Sequence, residues 1–270
     1  MHPYIWAAII TVGGGGMFSV IVALVNRGRK KRKEVEVPTP EPEEFELAKY
    51  FIALSETSKE FDDYSKAFEF QQEADKLFQA AGVKGITSLE RANLLLQTGM
   101  NLVLLKKYPD AMNRTQEALS LFKQDGENEQ FSRAFCYFVI AKIFRHEGAR
   151  EKALECCKKS AQTFANLIPP DHEVFGFLYK EIGHVYAGDY KFTEAKMYFV
   201  MAYRNLGECL GYENSITRGI REFLEVIYDI CCIAQSFDDW LAREMQYAKQ
   251  VYDELLTEQK QQPQHKGEHT

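Results

Sequence analysis

Charged side chains are missing from the first 26 residues of this chain, and proline is missing from most of its middle. The uncharged run from Tyr4 to Val25 is 22 residues long. At ~1.5 Å per residue a helix of that length reaches ~33 Å, the thickness of a bilayer core. Between residues 45 and 258 the only prolines are Pro109, Pro169 and Pro170, so helices can run unbroken there. Sustained apolar–polar alternation is also absent, which excludes a half-buried sheet and predicts an all-α body. The six cysteines, Cys136, Cys156, Cys157, Cys209, Cys231 and Cys232, include no C-x-x-C pair. Two of their pairs are adjacent in sequence, an arrangement unsuited to a zinc site or a disulfide framework, so free thiols in a reducing compartment are expected.

A basic surplus is confined to one place. Arg27, Arg29, Lys30, Lys31, Arg32 and Lys33 stand together, while the whole chain has a formal charge of −6, leaving −12 on the remainder. An acidic body argues against nucleic-acid binding, where cations supply most of the affinity. Catalytic signatures are lacking too: there is no G-x-S-x-G, P-loop, strand-linked G-x-G-x-x-G or H-E-x-x-H. His172, between Asp171 and Glu173, reads as part of a turn and capping cluster, and the six histidines are scattered singly. No catalytic residue, metal ligand or cofactor is assigned, and the expectation is a protein that is not an enzyme.

What is present begins with the apolar segment and its flank. Basic residues following an apolar run, rather than preceding it, distinguish an anchor from a cleaved signal peptide. The expected order is a short non-cytosolic N-terminus at 1–3, a transmembrane helix at 4–26 and a basic flank at 27–33. Residues 34–44 hold three prolines and five glutamates and read as a stiff solvated linker. A helical domain follows at 45–258, and a polar tail at 259–270 is read as disordered. Gly13–Gly16 could allow close approach of a second helix, so self-association is left open. Asn113-Arg114-Thr115 is an N-glycosylation sequon, usable only if the domain were lumenal.

The helical domain repeats. Ala111, Ala153 and Ala195 are spaced by 42 residues, each in a phrase such as Tyr108-Pro-Asp-Ala111 or Phe192-Thr-Glu-Ala195. Twelve residues before them stand Gly99, Ala141 and Gly183; seven after stand Ala118, Ser160 and Ala202. Leu102, Phe144 and Tyr186 keep the same step, and Tyr64-Ser-Lys-Ala67 with Ala74 continues the pattern displaced by two. Small residues at fixed offsets are what two antiparallel helices need where they cross, and such pairs bury their apolar faces only by stacking. Units are expected at about 48–84, 92–125, 134–167 and 176–209, with a degenerate one at 216–256.

Ile182-Gly183-His-Val-Tyr186 followed by Phe192-Thr-Glu-Ala195-Lys-Met-Tyr-Phe199-Val-Met-Ala202 resembles the tetratricopeptide-repeat superfamily. The 42-residue period is similar to kinesin-light-chain-type repeats and to the helical tail of SET-and-MYND methyltransferases, whose catalytic domains have no counterpart here. The resemblance implies a right-handed solenoid in which the first helix of each pair lines a concave groove. Projected onto this sequence, the groove receives Asn93, Leu96, Met100 and Val103 from the second unit. The third contributes Phe135, Phe138, Lys142, Arg145 and His146, and the fourth Phe177, Lys180 and His184. An apolar half and a basic half suit an acidic, partly hydrophobic peptide, including the chain's own segment at 41–47. The carboxylate clamp of chaperone-binding relatives does not carry over: its first Lys and Asn would fall on Ile52 and Glu56, or on Leu96 and Met100.

The expected function is that of a membrane-anchored adaptor whose cytosolic repeats capture a protein partner. Its anchor resembles those of mitochondrial outer-membrane receptors, with the endoplasmic reticulum and a bacterial inner membrane as alternatives. A second expectation is a structural subunit of a membrane complex, docking through an apolar edge at Ile227–Cys232 and Trp240.

Overall fold

In the computed structural model, residues 43–60, 62–80, 88–123, 126–231 and 234–261 are described. The expected N-terminus at 1–3, membrane helix at 4–26 and basic flank at 27–33 lie outside them, as does most of the linker. Among the described residues there is no strand, and no helix is long and apolar enough to cross a membrane.

Among the described residues ten helices follow one another in five sequential pairs. They are α1 (Glu43–Glu60) with α2 (Tyr64–Ala80), α3 (Ser88–Leu104) with α4 (Tyr108–Leu121), and α5 (Glu127–His146) with α6 (Arg150–Ala165). Next come α7 (Glu173–Ala187) with α8 (Phe192–Leu210), and α9 (Ser215–Ile230) with α10 (Phe237–Gln261). The chain divides into two compact units, Met1–Leu167 and Ile168–Thr270. In the first, α2 packs on α3, α4 on α5, and α3 directly on α5; in the second, α8 packs on both α9 and α10. The first helix begins at Glu43, two residues inside the stretch read as linker, because carboxylates are favoured at a helix N-terminus. The last runs to Gln261, three residues into the stretch read as a tail.

One turn chemistry joins the helices within the first four pairs. Asp62, Lys106, Gly148 and Tyr190 all have positive φ, between 57° and 76°. Each is followed by a residue whose N–H reaches back five positions: Asp63 to Ser58, Lys107 to Leu102, Ala149 to Phe144 and Lys191 to Tyr186, at 2.8–3.1 Å. This is the Schellman ending of a helix, in which the left-handed residue lets two orphan carbonyls be satisfied. Glycine occupies that position without strain only at 148; Asp, Lys and Tyr adopt it at a cost of about 1–2 kcal/mol each. The left-handed residue stands five places before Ala67, Ala111, Ala153 and Ala195 in turn. The same backbone event therefore sets the phase of these four repeats.

Packing follows the small residues. Ala67, Ala74, Ala111, Ala118, Ala153, Ala195 and Ala202 are all 0% exposed, as is Ser160, whose Oγ donates to the Ala134 carbonyl at 2.8 Å and ties α6 to α5. Neighbouring pairs in the first unit are joined by polar contacts as well. Asn101 Nδ2 donates to Gln71 Oε1 at 3.0 Å within the core, and Arg114 meets Asp75 at 3.1 Å. Buried amide pairs of this kind specify which helices meet, because a mismatched neighbour would leave them unsatisfied. In the second unit the core gathers Phe199, Leu206, Ile220, Leu224, Ile227, Trp240 and Leu241. Of the apolar edge expected at Ile227–Cys232 and Trp240, Ile227 and Trp240 face inward, whereas Ile230 and Cys231 are exposed.

Candidate functional site

The inner helices of the first unit show why the projected groove lining must be revised. Eight consecutive residues of α3, Ala92 to Gly99, are buried. At 3.6 residues per turn such a run covers every side of the helix, so α3 is enclosed by α2, α4 and α5 rather than open along one face. Asn93 and Leu96 are accordingly core residues. Asn93 Oδ1 accepts a long hydrogen bond from Ser132 Oγ, at 3.4 Å, across the α3–α5 seam. Phe135 is buried edge-on against Phe131 and Phe164, with ring centroids 5.2 and 5.0 Å away. Phe138 is buried as well, beneath Lys142, whose Nζ lies 5.4 Å from the ring centroid. These four residues are unavailable to a partner, and Val103 is buried with them.

The cationic half of the projection lies nearer the surface. Lys142 and Arg145 are half-buried and His146 is exposed; Met100, from α3, is half-buried. The His146 ring stacks on Tyr108 at 4.7 Å and 18°, and Arg145 Nη2 lies 3.1 Å from His146 Nε2. Tyr108 opens α4 directly after Lys106 and Lys107, and the Lys107 ammonium sits 5.1 Å over the Phe68 ring. The Tyr108–His146 stack thus joins the end of α5, with Lys142 and Arg145, to the α3–α4 turn, with Lys106 and Lys107. Cations at the end of α5 also complement its dipole. Sequence reasoning missed Tyr108 as a member, although its place in the repeated phrase was visible.

In the second unit, α7 carries Phe177, Lys180 and His184, all half-buried. Phe177 leans on the core. The His184 ring is edge-on to Phe199 at 5.0 Å and to Phe223 of α9 at 4.7 Å. His172 caps α7 through Nδ1, which accepts from the Val174 N–H at 3.3 Å; burial lowers its pKa and keeps the ring neutral for that role. Asn205 Nδ2 and Cys209 Sγ both donate to the Asp171 carbonyl, at 3.2 and 3.3 Å, pinning the same loop.

Burial pushes the Cys136 thiol up to about 12. Burial, followed by Glu173, Asp171 and Glu208, pushes Cys209 up to about 11. Both stay protonated at neutral pH and are poor nucleophiles. Among the described residues no three His, Cys, Asp or Glu side chains are placed to hold a metal ion, and the described cysteines Cys136, Cys156, Cys157, Cys209 and Cys231 are free thiols.

No protein-family model matches this chain, and no curated protein does. Among solved structures it is similar to the crystal structure of the apo form of RapI, with a TM-score of 0.53 and 12% identity. The match covers 87% of this chain and 59% of that one, so this chain spans well under two thirds of RapI. At such identity the likeness carries the fold alone. Among the described residues the chain has an all-helical fold of successive helix pairs, similar to that of RapI.

Proposed function

We propose that this protein is a non-enzymatic adaptor, tethered to a membrane by residues 4–26, whose helical repeats capture an acidic, partly apolar segment of a protein partner. The observation that carries the reading is the corner formed by Lys142, Arg145 and His146 with Tyr108. Cations there lie beside aromatic faces in a chain whose formal charge is −6. Opposite charge on an otherwise acidic surface steers a carboxylate-rich segment, and the rings offer it apolar contact. Double charge reversal, Lys142→Glu with Arg145→Glu, is expected to weaken capture at least about tenfold while the helical circular dichroism stays unchanged. Undiminished capture by a folded variant would remove this surface from the reading.

The tether rests on the uncharged run and the six cations that follow it. Such a flank holds the adjoining domain on the cytosolic side, in the outer mitochondrial membrane or alternatively the endoplasmic reticulum. On intact mitochondria carrying the full chain with a C-terminal tag, added protease is expected to remove the tag. Protection of the tag, or its recovery only from microsomes with Asn113 glycosylated, would overturn that placement.

A further inference from the structure

One helix of the second unit has an apolar face broader than the core that covers it. Along α9, Ile220, Leu224 and Ile227 enter the core. A second stripe, Gly219, Phe223, Val226 and Ile230, runs beside them. Phe223 is 46% exposed, Val226 55% and Ile230 49%. Their spacing of four, three and four is that of alternating d and a positions in a heptad, the seam one helix offers another. Gly219 adds a vacancy at one end: a Cβ built there meets nothing within 4 Å. Phe223 also has a fixed orientation, since its ring stacks on Phe199 at 5.4 Å and 10° and receives the edge of His184. A row of large apolar side chains held in place and open to water marks an interaction surface.

The charges beside the stripe select its occupant. Glu222 and Asp229 stand at the positions flanking the seam on the side away from the core, and both are exposed. Glu225 lies next to them, paired with Arg221 at 3.1 Å, and with the exposed Arg218 in the same row the edge holds three carboxylates against one guanidinium. The other flank is closed, because Ile220 and Ile227 already lie in the core. A second copy of this chain fits poorly. Antiparallel α9 helices would seat Phe223 on the other copy's Val226, and Ile230 on its Gly219, but would set the two acidic edges against each other, a destabilising arrangement. Lys180 and His184 belong to α7, on the far side of Phe223 from that edge, so the occupant's cations must lie away from α7.

We infer that the α9 stripe docks an amphipathic helix of a partner protein that has an apolar a/d seam and Lys or Arg along one flank. This goes beyond capture at the α5 corner: it concerns another helix and requires the opposite charge on the occupant. Either surface can fail its test while the other stands.

The test uses the full chain in detergent and two labelled synthetic helical peptides of about three heptads. Both carry leucine at a and d; one has lysine along a single flank, the other glutamate. Fluorescence anisotropy is expected to show the lysine peptide binding about tenfold or more tightly than the glutamate peptide. Val226→Glu is expected to abolish that difference, and Glu222→Lys with Asp229→Lys to reverse it. Both variants change exposed positions, so each should keep its helical content. Equal binding of the two peptides, or binding unaffected by Val226→Glu, would overturn the proposal. So would a concentration-dependent dimer of the unmodified chain that Val226→Glu dissolves, since the stripe would then belong to a second copy.

Discussion

Replacing Trp240 by alanine is expected to cost the second unit about 3–5 kcal/mol, a large share of the stability of a domain this size. Trp240 is among the largest fully buried side chains described, at 1% exposure. It sits in the first turn of α10 and fills the space between that helix and α9. Tyr228 lies 5.5 Å from it and Phe237 5.6 Å, centroid to centroid. The start of α10 is fixed by Ser236, whose Oγ accepts from the Asp239 N–H at 3.2 Å, and by Arg221, whose guanidinium lies over the Phe237 ring and meets Asp238 at 2.7 Å. With the entry angle of the helix set this way, α10 cannot slide inward to close the cavity, so the loss should fall at the upper end of the range. Urea unfolding followed by circular dichroism measures it, and Trp240→Phe, which keeps an aromatic ring in place, should lose much less. A loss below about 1 kcal/mol would mean that the site collapses freely.

Trp240 also shows where one-dimensional reading runs out. It belongs to the degenerate last repeat, where the sequence suggests an exposed apolar edge at Ile227–Cys232 and Trp240. Three-dimensional packing turns Ile227 and Trp240 inward, leaves Ile230 outside as expected, and exposes Phe223 and Val226 beside it. The apolar face of α9 is broad, and periodicity alone does not tell which part of it a neighbouring helix covers. The α3 residues fail for a related reason: Asn93 and Leu96 follow the spacing of a groove face, but a helix flanked by three others has no open face. The repeat itself was legible because its markers answer to a local steric need. A residue at a close helix crossing must be small whatever its neighbours do, so Ala111, Ala153 and Ala195 recur at 42 residues and are fully buried. The turn signal was hidden, since Asp62, Lys106 and Tyr190 occupy a conformation that glycine usually announces.

Gly183→Ala is expected to destabilise the second unit by about 1–3 kcal/mol, although alanine is ordinarily the better helix former by about 1 kcal/mol. A Cβ at Gly183 would lie 2.9–3.1 Å from three atoms of the Phe199 ring. That ring cannot retreat, being fully buried with His184 edge-on to it and Phe223 stacked against it. The register of the repeat explains the pairing. One repeat earlier the positions equivalent to Gly183 and Phe199 hold Ala141 and Cys157; one before that, Gly99 and Thr115. At the first of these crossings a Cβ on Gly99 would collide with Thr115 Oγ1, which is held against the Ala111 carbonyl at 2.7 Å. Where the facing residue is the slim Cys157, the helix can carry a methyl group; where it is Phe199, it cannot. The room at the crossing is thus set by the pair of residues together rather than by either position alone. The double variant Gly183→Ala with Phe199→Cys, which copies the middle repeat, should therefore be more stable than the sum of the single losses requires. A double-mutant cycle should show a favourable coupling of about 1–2 kcal/mol. Strict additivity would show instead that the backbone, and not the Phe199 ring, demands glycine at 183.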